Sequence, residues 1–290
     1  MKKIRGFFRA LQNHIKRDKK AFATYIFLRT IVIFVLIRAV LRKDYESVFI
    51  CGLSLLLLLL PAFIERSLKI DFPTVLEIVI MVFIFAAEIM GEISEYYVKF
   101  THWDTLLHTT NGFLCAAIGF GLVDILNRAE HISLRLSPFY QALFAFCFSM
   151  TVGVLWEFFE FGCDYLLHTD MQKDTVINAI YSVTLNPTGA NKPVGITNIT
   201  DVVVNGTSLG LGGYLDIGLF DTMEDLFVNF IGAVIFCIIG YFYTKNKGHG
   251  NFAKSFIPIA VDGFEDEAED PQPLKIGGKK TWSYTPKRKK

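Results

Sequence analysis

The sequence predicts an all-α integral membrane protein with about six transmembrane helices, and three observations support this class. The 290-residue chain is 52% hydrophobic and 14% aromatic, with a mean hydropathy of +0.40, and soluble proteins of this length rarely have such a composition. Apolar runs of about 20 residues, the length that crosses a bilayer, recur along the chain. The charges lie mostly between these runs and beyond them. The net charge of +1 gives no reason to expect a nucleic-acid partner.

Each span is predicted from an apolar run bounded by charged or turn-forming residues. The second span, which contains LSLLLLLLPAF, is the most continuous, and the fourth is the least apolar. The first span follows a long basic stretch and lacks a small-residue cleavage site, which is typical of a retained helix rather than a secretory signal. The predicted spans are Phe22–Leu41, Ser47–Ile64, Thr74–Tyr96, Trp103–Asp124, Pro138–Phe161 and Asp221–Tyr243.

Lysine and arginine predict the side of the membrane that each connection faces, because basic connections prefer the cytoplasm. The N-terminal segment, the second and fourth connections and the C-terminal flank are basic, whereas the other connections are not. Both termini are therefore expected inside, and the long connection at 162–220 outside, where it could be a lid or a structured cap with a short strand at Thr197–Val204. The chain then divides into a basic amphipathic interfacial segment at 1–20, a membrane domain at 21–244 and a disordered cytoplasmic tail at 245–290.

Acidic, histidine and asparagine side chains lie within or at the rim of four predicted spans. Ionisable groups are costly there, so they point to a function. On each span they are three or four residues apart, which places them on one helix face. With the predicted topology, all four sets fall at the extracytoplasmic end of the membrane. The sets are Glu88, Glu92 and Glu95; Asp104, His108 and Asn111; Glu157, Glu160 and Asp164; and Asp221, Asp225 and Asn229.

These side chains predict a cation site. Carboxylates that face one another near the hydrocarbon must be protonated, hydrated or bound to a cation, because like charges repel strongly in a low dielectric. A divalent cation is the simplest answer, and oxygen ligands with one histidine favour Mg²⁺, Mn²⁺ or Ca²⁺, with Zn²⁺ also compatible. The alternative is that the residues at the helix ends lie in water. The candidate metal ligands are Asp104, His108, Glu157, Asp221 and Asp225.

Three motifs carry a resemblance to known families: WDTLLHTTNGFLCAAIGFG, VGVLWEFFEFGCD and LFDTMEDLFVNFIGA. At these motifs the chain resembles the bacterial YjdF-type family of multi-pass inner-membrane proteins, which is largely uncharacterised, over about residues 74–243. More distantly, it is similar to the VanZ-like membrane proteins. Both resemblances imply a bacterial plasma-membrane location, and the second implies a link to the cell envelope. The positions that match the VanZ-like pattern are Asp104, His108, Glu157, Glu160, Asp225, Asn229 and Gly232.

The sequence as a whole predicts a bacterial multi-pass plasma-membrane protein with an outward-facing acidic pocket. That pocket is expected to bind a divalent cation and to act on an envelope or lipid-linked molecule, with membrane lipids as the other partners. An enzyme of this kind would be a metal-dependent hydrolase or transferase with Glu157 and Glu160 as catalytic residues, Glu160 being the general base. The alternatives are a cation-binding transporter and a non-catalytic membrane scaffold. The scarcity of polar residues in the inner halves of the spans favours a one-sided site over a conduit.

Overall fold

The computed structural model describes residues 18–68, 70–128 and 136–260. Within these ranges, six helices are long and apolar enough to cross a membrane, which confirms the predicted all-helical membrane class. Most of the predicted interfacial segment (1–17) and most of the predicted tail (261–290) lie outside the described residues. The six spans are Lys19–Arg42, Tyr45–Ser67, Thr74–Ile93, Trp103–Leu126, Pro138–Leu167 and Leu219–Lys245.

Two of the six spans, the second and the third, each consist of two helical segments. The third span continues from an α-helix into a π-helix, Ala86–Ile93, and a short 3₁₀ turn, Val183–Leu185, lies in the long connection. The α-helices are α1 (Lys19–Arg42), α2 (Tyr45–Leu57), α3 (Leu60–Leu68), α4 (Thr74–Phe85), α5 (Tyr96–Lys99), α6 (Trp103–Arg128), α7 (Pro138–Leu167), α8 (Leu219–Lys245) and α9 (Asn251–Lys254).

Capping residues determine where the first two spans begin and turn. The Asp18 carboxylate accepts hydrogen bonds from the backbone N–H groups at the start of α1. Asp44 does the same for α2, where the backbone N of Ser47 donates at 3.1 Å and its hydroxyl at 2.7 Å. Between them Lys43 ends α1 in the left-handed conformation with φ 59°. The first two spans are therefore joined by a tight, well-capped turn.

The second span is interrupted near its middle. α2 ends at Leu57 and α3 begins at Leu60, one residue before Pro61. Proline has no N–H to donate to the preceding turn and is tolerated only in the first turn of a helix, so the break falls where the sequence places this residue.

The third span ends in a way that α-helical spacing could not predict. In the π-helix, which has a wider turn than an α-helix, the backbone N–H and the hydroxyl of Ser94 both donate to the carbonyl of Ile89, at 3.1 Å and 3.0 Å. Glu95 then adopts a left-handed conformation, φ 61°, and its carboxylate pairs in solvent with Lys99 at 3.0 Å. The expectation that Glu88, Glu92 and Glu95 share one face was wrong, because it assumed an α-helix up to Glu95.

The core of the described residues has three clusters; in the smallest, Ile70, Phe72 and Leu76 pack with Leu114 and Ile118 of α6, and the two larger clusters divide the membrane helices between them. One of the larger clusters lies among α6, α7 and α8, where small residues such as Ala116, Ala145 and Ala233 pack with Phe120 and Phe236. The other joins α1, α2 and α4 through larger aliphatic side chains, including Leu28, Leu58, Met81 and Ile84.

The connection between α7 and α8 is shorter than predicted and contains several small hairpins. α7 extends to Leu167 and α8 begins at Leu219, so the connection covers 168–218 instead of 162–220. The predicted strand Thr197–Val204 was wrong as a single element, since only its two ends are extended and Asn198 has φ 58°. The strands are β2 (Val176–Ile177), β3 (Ala179–Ser182), β4 (Val194–Thr197), β5 (Val203–Val204), β6 (Thr207–Ser208) and β7 (Tyr214–Leu215), paired β2 with β7, β3 with β4 and β5 with β6.

The segment after α8 is ordered further than the predicted disordered tail at 245–290 implies. α9 and the strand β8 (Ile259–Ala260) return to the bundle, and β8 pairs with β1 (Ile70–Asp71) in antiparallel register. Ala253 and Ile257 are buried in the core of α6–α8. Their apolar side chains supply the burial that a fully disordered segment lacks.

Candidate functional site

His108 lies at the centre of a polar cluster where α6, α7 and α8 meet at one end of the bundle. Its Nε2 atom is 3.4 Å from Oδ1 of Asp104, one helical turn earlier on α6. The same nitrogen is 3.6 Å from Oδ2 of Asp225 on α8. Its Nδ1 atom is 3.9 Å from Oε1 of Glu157 on α7. The structure thus places three of the predicted ligands around the imidazole of a fourth.

The cluster is mostly shielded from solvent. Glu157 is 4% exposed, Glu160 8% and Asp225 3%, while the side chains of Asp104 and His108 are 28% and 11% exposed. α-Helical spacing explains why Glu157 and Glu160 share a face of α7. Their inward direction follows from the packing of α7 against α6 and α8. These carboxylates cannot be treated as helix-end groups in water.

Two groups of three side chains are close enough to hold a metal ion. The first group is Asp104, His108 and Asp225, and the second is Glu157, Glu160 and Asp225. Within each group, one ligand atom from each residue lies within 4.8 Å of the other two. Asp225 belongs to both groups, so it connects the α6 side of the cluster to the α7 side.

Two carboxylate oxygens in the cluster have no hydrogen-bond partner among the described residues. They are Oε2 of Glu157 and Oε2 of Glu160, both buried. The other oxygen of Glu160 accepts a hydrogen bond of 2.9 Å from the indole N–H of Trp156. That bond fixes the position of the Glu160 carboxylate and leaves its Oε2 atom without a hydrogen-bond partner. A buried acceptor left unpaired is costly, which makes these two oxygens the places where a proton, a water or a cation would be stabilised.

Asp221, also predicted as a metal ligand, has a different environment. Its Oδ2 accepts a hydrogen bond of 2.9 Å from the backbone N of Lys173, in the connection after α7. It belongs to neither of the two groups of potential ligands, although it lines the same recess as Asp225. The structure therefore places Asp221 at the rim, where it joins the start of α8 to the connection.

Asp164, the last member of the α7 stripe, also binds the connection rather than the cluster. Its two oxygens accept hydrogen bonds from the backbone N of Met171 at 2.7 Å and of Gln172 at 2.8 Å. The Thr169 hydroxyl donates a third, at 2.8 Å. Two of the predicted acidic residues thus fasten the start of the connection beside the cluster.

A small recess opens beside the cluster and includes residues that the stripes did not reveal. Its volume is about 10 Å³, which suits a water or an ion rather than an organic molecule. Lys173 Nζ lies 3.9 Å from Glu92 Oε2 and is the one Lys or Arg of the described residues that is paired with an acidic member of the recess. The recess is lined by Glu92, Tyr97, Asp104, Glu160, Met171, Lys173, Asp221 and Asp225.

Tyr97 contributes an uncharged hydroxyl to this end of the bundle. Burial, together with nearby carboxylates of which Asp104 and Glu92 act most strongly, raises the pKa of Tyr97 well above its usual value. Its ring lies against Gly91, where an added Cβ would be 2.3 Å from the ring. Tyr97 lies in the short α5, outside every predicted span, so no spacing rule connected it to the site.

The two asparagines of the stripes lie deeper and partner each other. The side-chain amide of Asn111 donates to Oδ1 of Asn229 at 3.0 Å. The Ser149 hydroxyl donates to the carbonyl of Gly112 at 2.8 Å, joining α7 to α6 at the same level. These bonds are made between protein groups, so the asparagines form a structural floor under the cluster.

Aromatic side chains occupy the level beyond that floor. The ring of Phe236 packs edge-on against Phe113, with centroids 5.0 Å apart, and against Phe120 at 6.2 Å. Phe120 and Phe236 are fully buried. This apolar packing among α6, α7 and α8 separates the cluster from the other end of the bundle.

The chemistry of the cluster follows from its charge. Asp104, Glu157 and Asp225 surround one imidazole, and Glu160 lies close to Glu157 and Asp225. Among the described residues, no Lys or Arg forms an ion pair with any of these four carboxylates. Such a group must share protons or bind a cation. The arrangement can therefore hold a metal ion or exchange protons.

Comparison with known proteins identifies a family. No curated protein and no solved structure matches the chain. The family described as "Predicted membrane protein (DUF2238)" matches residues 23–246, which is more than half of the chain. The matched part includes all four carboxylates of the cluster and His108. The chain therefore belongs to this family of predicted membrane proteins, and it is a multi-pass membrane protein.

Proposed function

We propose that this protein binds a divalent cation with Asp104, His108, Glu157 and Asp225. With that cation it would act on an envelope or lipid-linked molecule at the outer face of a bacterial plasma membrane, as a metal-dependent hydrolase or transferase. The observation that carries the proposal is the buried group of carboxylates around one imidazole, in which two oxygens are unpartnered.

The spacing of the ligand atoms suits an ion better than direct hydrogen bonds. The distances of 3.4 Å and 3.6 Å from His108 Nε2 to the two aspartates exceed normal hydrogen-bond lengths. Two atoms that each lie about 2.1 Å from a shared ion are about 3.0 to 3.5 Å apart at angles near 90–110°. A small movement of the side chains would therefore complete a coordination shell. Carboxylate oxygens with one imidazole favour Mg²⁺ or Mn²⁺ and are compatible with Zn²⁺.

In the enzyme version of this proposal, a cation held by these residues would polarise a phosphoryl or carbonyl oxygen or activate a water molecule. Glu160 is the candidate general base, because Trp156 holds one of its oxygens and leaves the other unbonded. The start of the connection, held by Asp164 and Asp221, lines the recess with Met171 and Lys173 and would have to move for a substrate larger than the recess. The basic connections at the other end of the spans support an outward-facing site.

Transport of the cation is the second candidate function. It would need a polar path from the cluster to the far end of the bundle. The paired asparagines and the Phe113, Phe120 and Phe236 rings fill that direction among the described residues. A one-sided site is therefore favoured over a conduit. A scaffold role would depend instead on the exposed hairpins of the connection.

The test is the metal content and the thermal stability of the protein purified in detergent, with and without chelator. Glu157→Ala combined with Asp225→Ala is the test variant, and Glu95→Ala, which removes an acidic residue paired in solvent, is the matched control. We expect stoichiometric metal and a chelator-sensitive melting temperature in the parent and the control, and neither in the double variant. The proposal fails if the parent binds no metal and melts at the same temperature as the double variant, with or without chelator.

A further inference from the structure

We infer that the cluster holds two divalent cations, with the carboxylate of Asp225 bridging them. This inference deepens the proposed function and rests on it, because it specifies how many ions the same cluster binds and adds Glu160 to the four proposed ligands. One ion would lie on the α6 side, between Asp104, His108 and Asp225. The other would lie on the α7 side, between Glu157, Glu160 and Asp225.

The geometry gives two positions rather than one. Each group of three has its ligand atoms within 4.8 Å of one another, and Asp225 alone belongs to both. A carboxylate has two oxygens, so it can bind one ion with each. The Nε2 atom of His108 faces Asp104 and Asp225, so it can bind the ion at the first position and not the ion at the second. Sites with two catalytic metal ions commonly hold them about 3.5 to 4 Å apart.

Unpartnered oxygens provide an independent reason for the second position. Oε2 of Glu157 and Oε2 of Glu160 are both buried without a hydrogen-bond partner among the described residues, and both belong to the α7 group. An ion placed only between Asp104, His108 and Asp225 would leave them unsatisfied. Trp156 fixes the other oxygen of Glu160, which keeps the free one available for an ion.

The charge of the cluster also favours two bound ions. The four carboxylates of the two groups carry a formal charge of −4 when ionised, and His108 is neutral when it binds a metal. One divalent cation leaves two uncompensated negative charges in a mostly buried site, whereas two cations balance them. Lys173 pairs with Glu92 and lies outside both groups. Burial of uncompensated charge is costly, so two ions are favoured over one.

A second bound ion changes the role of Glu160. With two ions bound, Glu160 is a ligand of the second ion and no longer the candidate general base. Its replacement should therefore alter metal content, whereas a general base could be replaced with the metal content unchanged.

The experiment measures how many ions the full chain binds. Chelator-treated protein in detergent is equilibrated with Mn²⁺ or, in parallel, Zn²⁺, freed of unbound metal, and analysed for ions per chain. The Mn²⁺ sample is also examined by electron paramagnetic resonance, since two Mn²⁺ ions bridged by a carboxylate couple magnetically. The variants are Glu160→Gln, which keeps an acceptor for Trp156, and Asp225→Asn, with Glu95→Gln as control.

We expect two ions per chain and a coupled Mn²⁺ spectrum in the parent and in Glu95→Gln. Glu160→Gln should retain one ion with an uncoupled spectrum, and Asp225→Asn should lose both or keep one weakly. A parent that binds a single ion, unchanged by Glu160→Gln, would overturn the two-ion inference and leave the proposed function standing. A parent that binds neither metal would overturn both. Equal melting temperatures of the metal-free parent and variants verify that each variant is folded.

Discussion

The bundle of α6, α7 and α8 and the layer of α1, α2 and α4 are both apolar enough for a membrane, but they are packed differently. In the bundle, Gly112 and Gly232 let two backbones approach so closely that an added Cβ would lie 2.0 Å and 1.9 Å from a carbonyl oxygen of the facing helix. In the layer, Gly52 lies on an exposed face of α2, where an added Cβ would have no heavy atom within 4 Å, so this glycine brings no helices together. Large aliphatic side chains fill the space between the helices of the layer.

Buried polar groups deep in the two regions differ in the same way, although at the rim of the layer the Thr74 hydroxyl of α4 donates to Asp18 at the start of α1. In the bundle they bond between helices, as Asn111 does with Asn229 and Ser149 with the Gly112 carbonyl. In the layer, the fully buried Ser54 bonds to the carbonyl of Ile50, four residues earlier in its own helix. Close approach of the helix backbones thus allows side chains of different helices to form hydrogen bonds, and the candidate site lies in the bundle, where the backbones approach in this way.

The largest effect is expected from a methyl group at the closest helix crossing. Gly232→Ala places a Cβ against the Thr109 carbonyl of α6, a backbone atom that cannot rotate away. We expect it to lower the free energy of unfolding by about 2 to 3 kcal/mol or to prevent folding, because the two helices must separate. The measurement is the melting temperature in detergent.

Gly52→Ala is the matched control, since it adds the same methyl group to a helix whose surroundings are open. Alanine also has the higher helix propensity, so the melting temperature should stay the same or rise slightly. Equal destabilisation by the two substitutions would contradict the close crossing of α6 and α8, because Gly52 is exposed and its added Cβ would contact no neighbouring helix.

An intermediate effect is expected from the buried amide pair. Replacing Asn111 and Asn229 by alanine, singly and together, should reveal a coupling of about 0.5 to 1.7 kcal/mol, as found for hydrogen bonds between membrane helices. The single variants leave one amide without its partner, which is why the pair should be non-additive. Thermal unfolding of the four proteins measures the coupling.

Ser54→Ala provides the comparison from the layer. The Ser54 bond lies within one helix and its loss leaves the Ile50 carbonyl in the backbone ladder, so a change below about 0.5 kcal/mol is expected. An additive amide pair, or a Ser54 variant as unstable as the asparagine variants, would contradict the division between the two regions.

The smallest effect concerns the exposed cap of α2 and depends on pH. The hydroxyl and backbone N–H of Ser47 hold the pKa of Asp44 below its usual range. A depressed pKa means that the ionised cap stabilises the folded state above the ordinary pKa of about 3.8, and that this contribution is lost as the pH falls through the lower, folded-state value.

At neutral pH, Asp44→Ala should cost about 0.5 to 1 kcal/mol, whereas Asp44→Asn, also a good N-cap, should cost less. The difference in melting temperature between the parent and Asp44→Asn should shrink below about pH 4 and remain constant from pH 5 to 8. A difference that grows on acidification would have the wrong sign for this cap.

The sequence predicted the number of spans and the inward faces of α6, α7 and α8, because these depend on local rules. An apolar run of sufficient length forms a span in any context, and Asp104 and His108 lie one turn apart in any α-helix. The distance between His108 and Glu157 depends instead on how α6 and α7 cross. In the sequence, only the glycines of these helices indicated that the helices pack closely.

Other features could not be read from spacing. The π-helix at Ala86–Ile93 changes the number of residues per turn, which removed Glu95 from the face of Glu88. Tyr97 and Lys173 reach the recess from segments outside the predicted spans, where the chain direction is set by turns. Asp221 and Asp164 obey the predicted spacing, yet their hydrogen bonds go to the connection, because a helix-end carboxylate finds backbone N–H groups within reach.

The pairing of β1 with β8 is also a check on the path of the chain across the bilayer. β1 follows the second span and β8 follows the sixth, and four spans lie between them. The two strands can meet only if an even number of crossings separates them. A chain that skips or inverts one span during insertion would leave β1 and β8 on opposite sides, unable to pair. The two-stranded sheet can therefore form only after the last span has been correctly inserted, so its formation indicates that membrane insertion of the chain is complete.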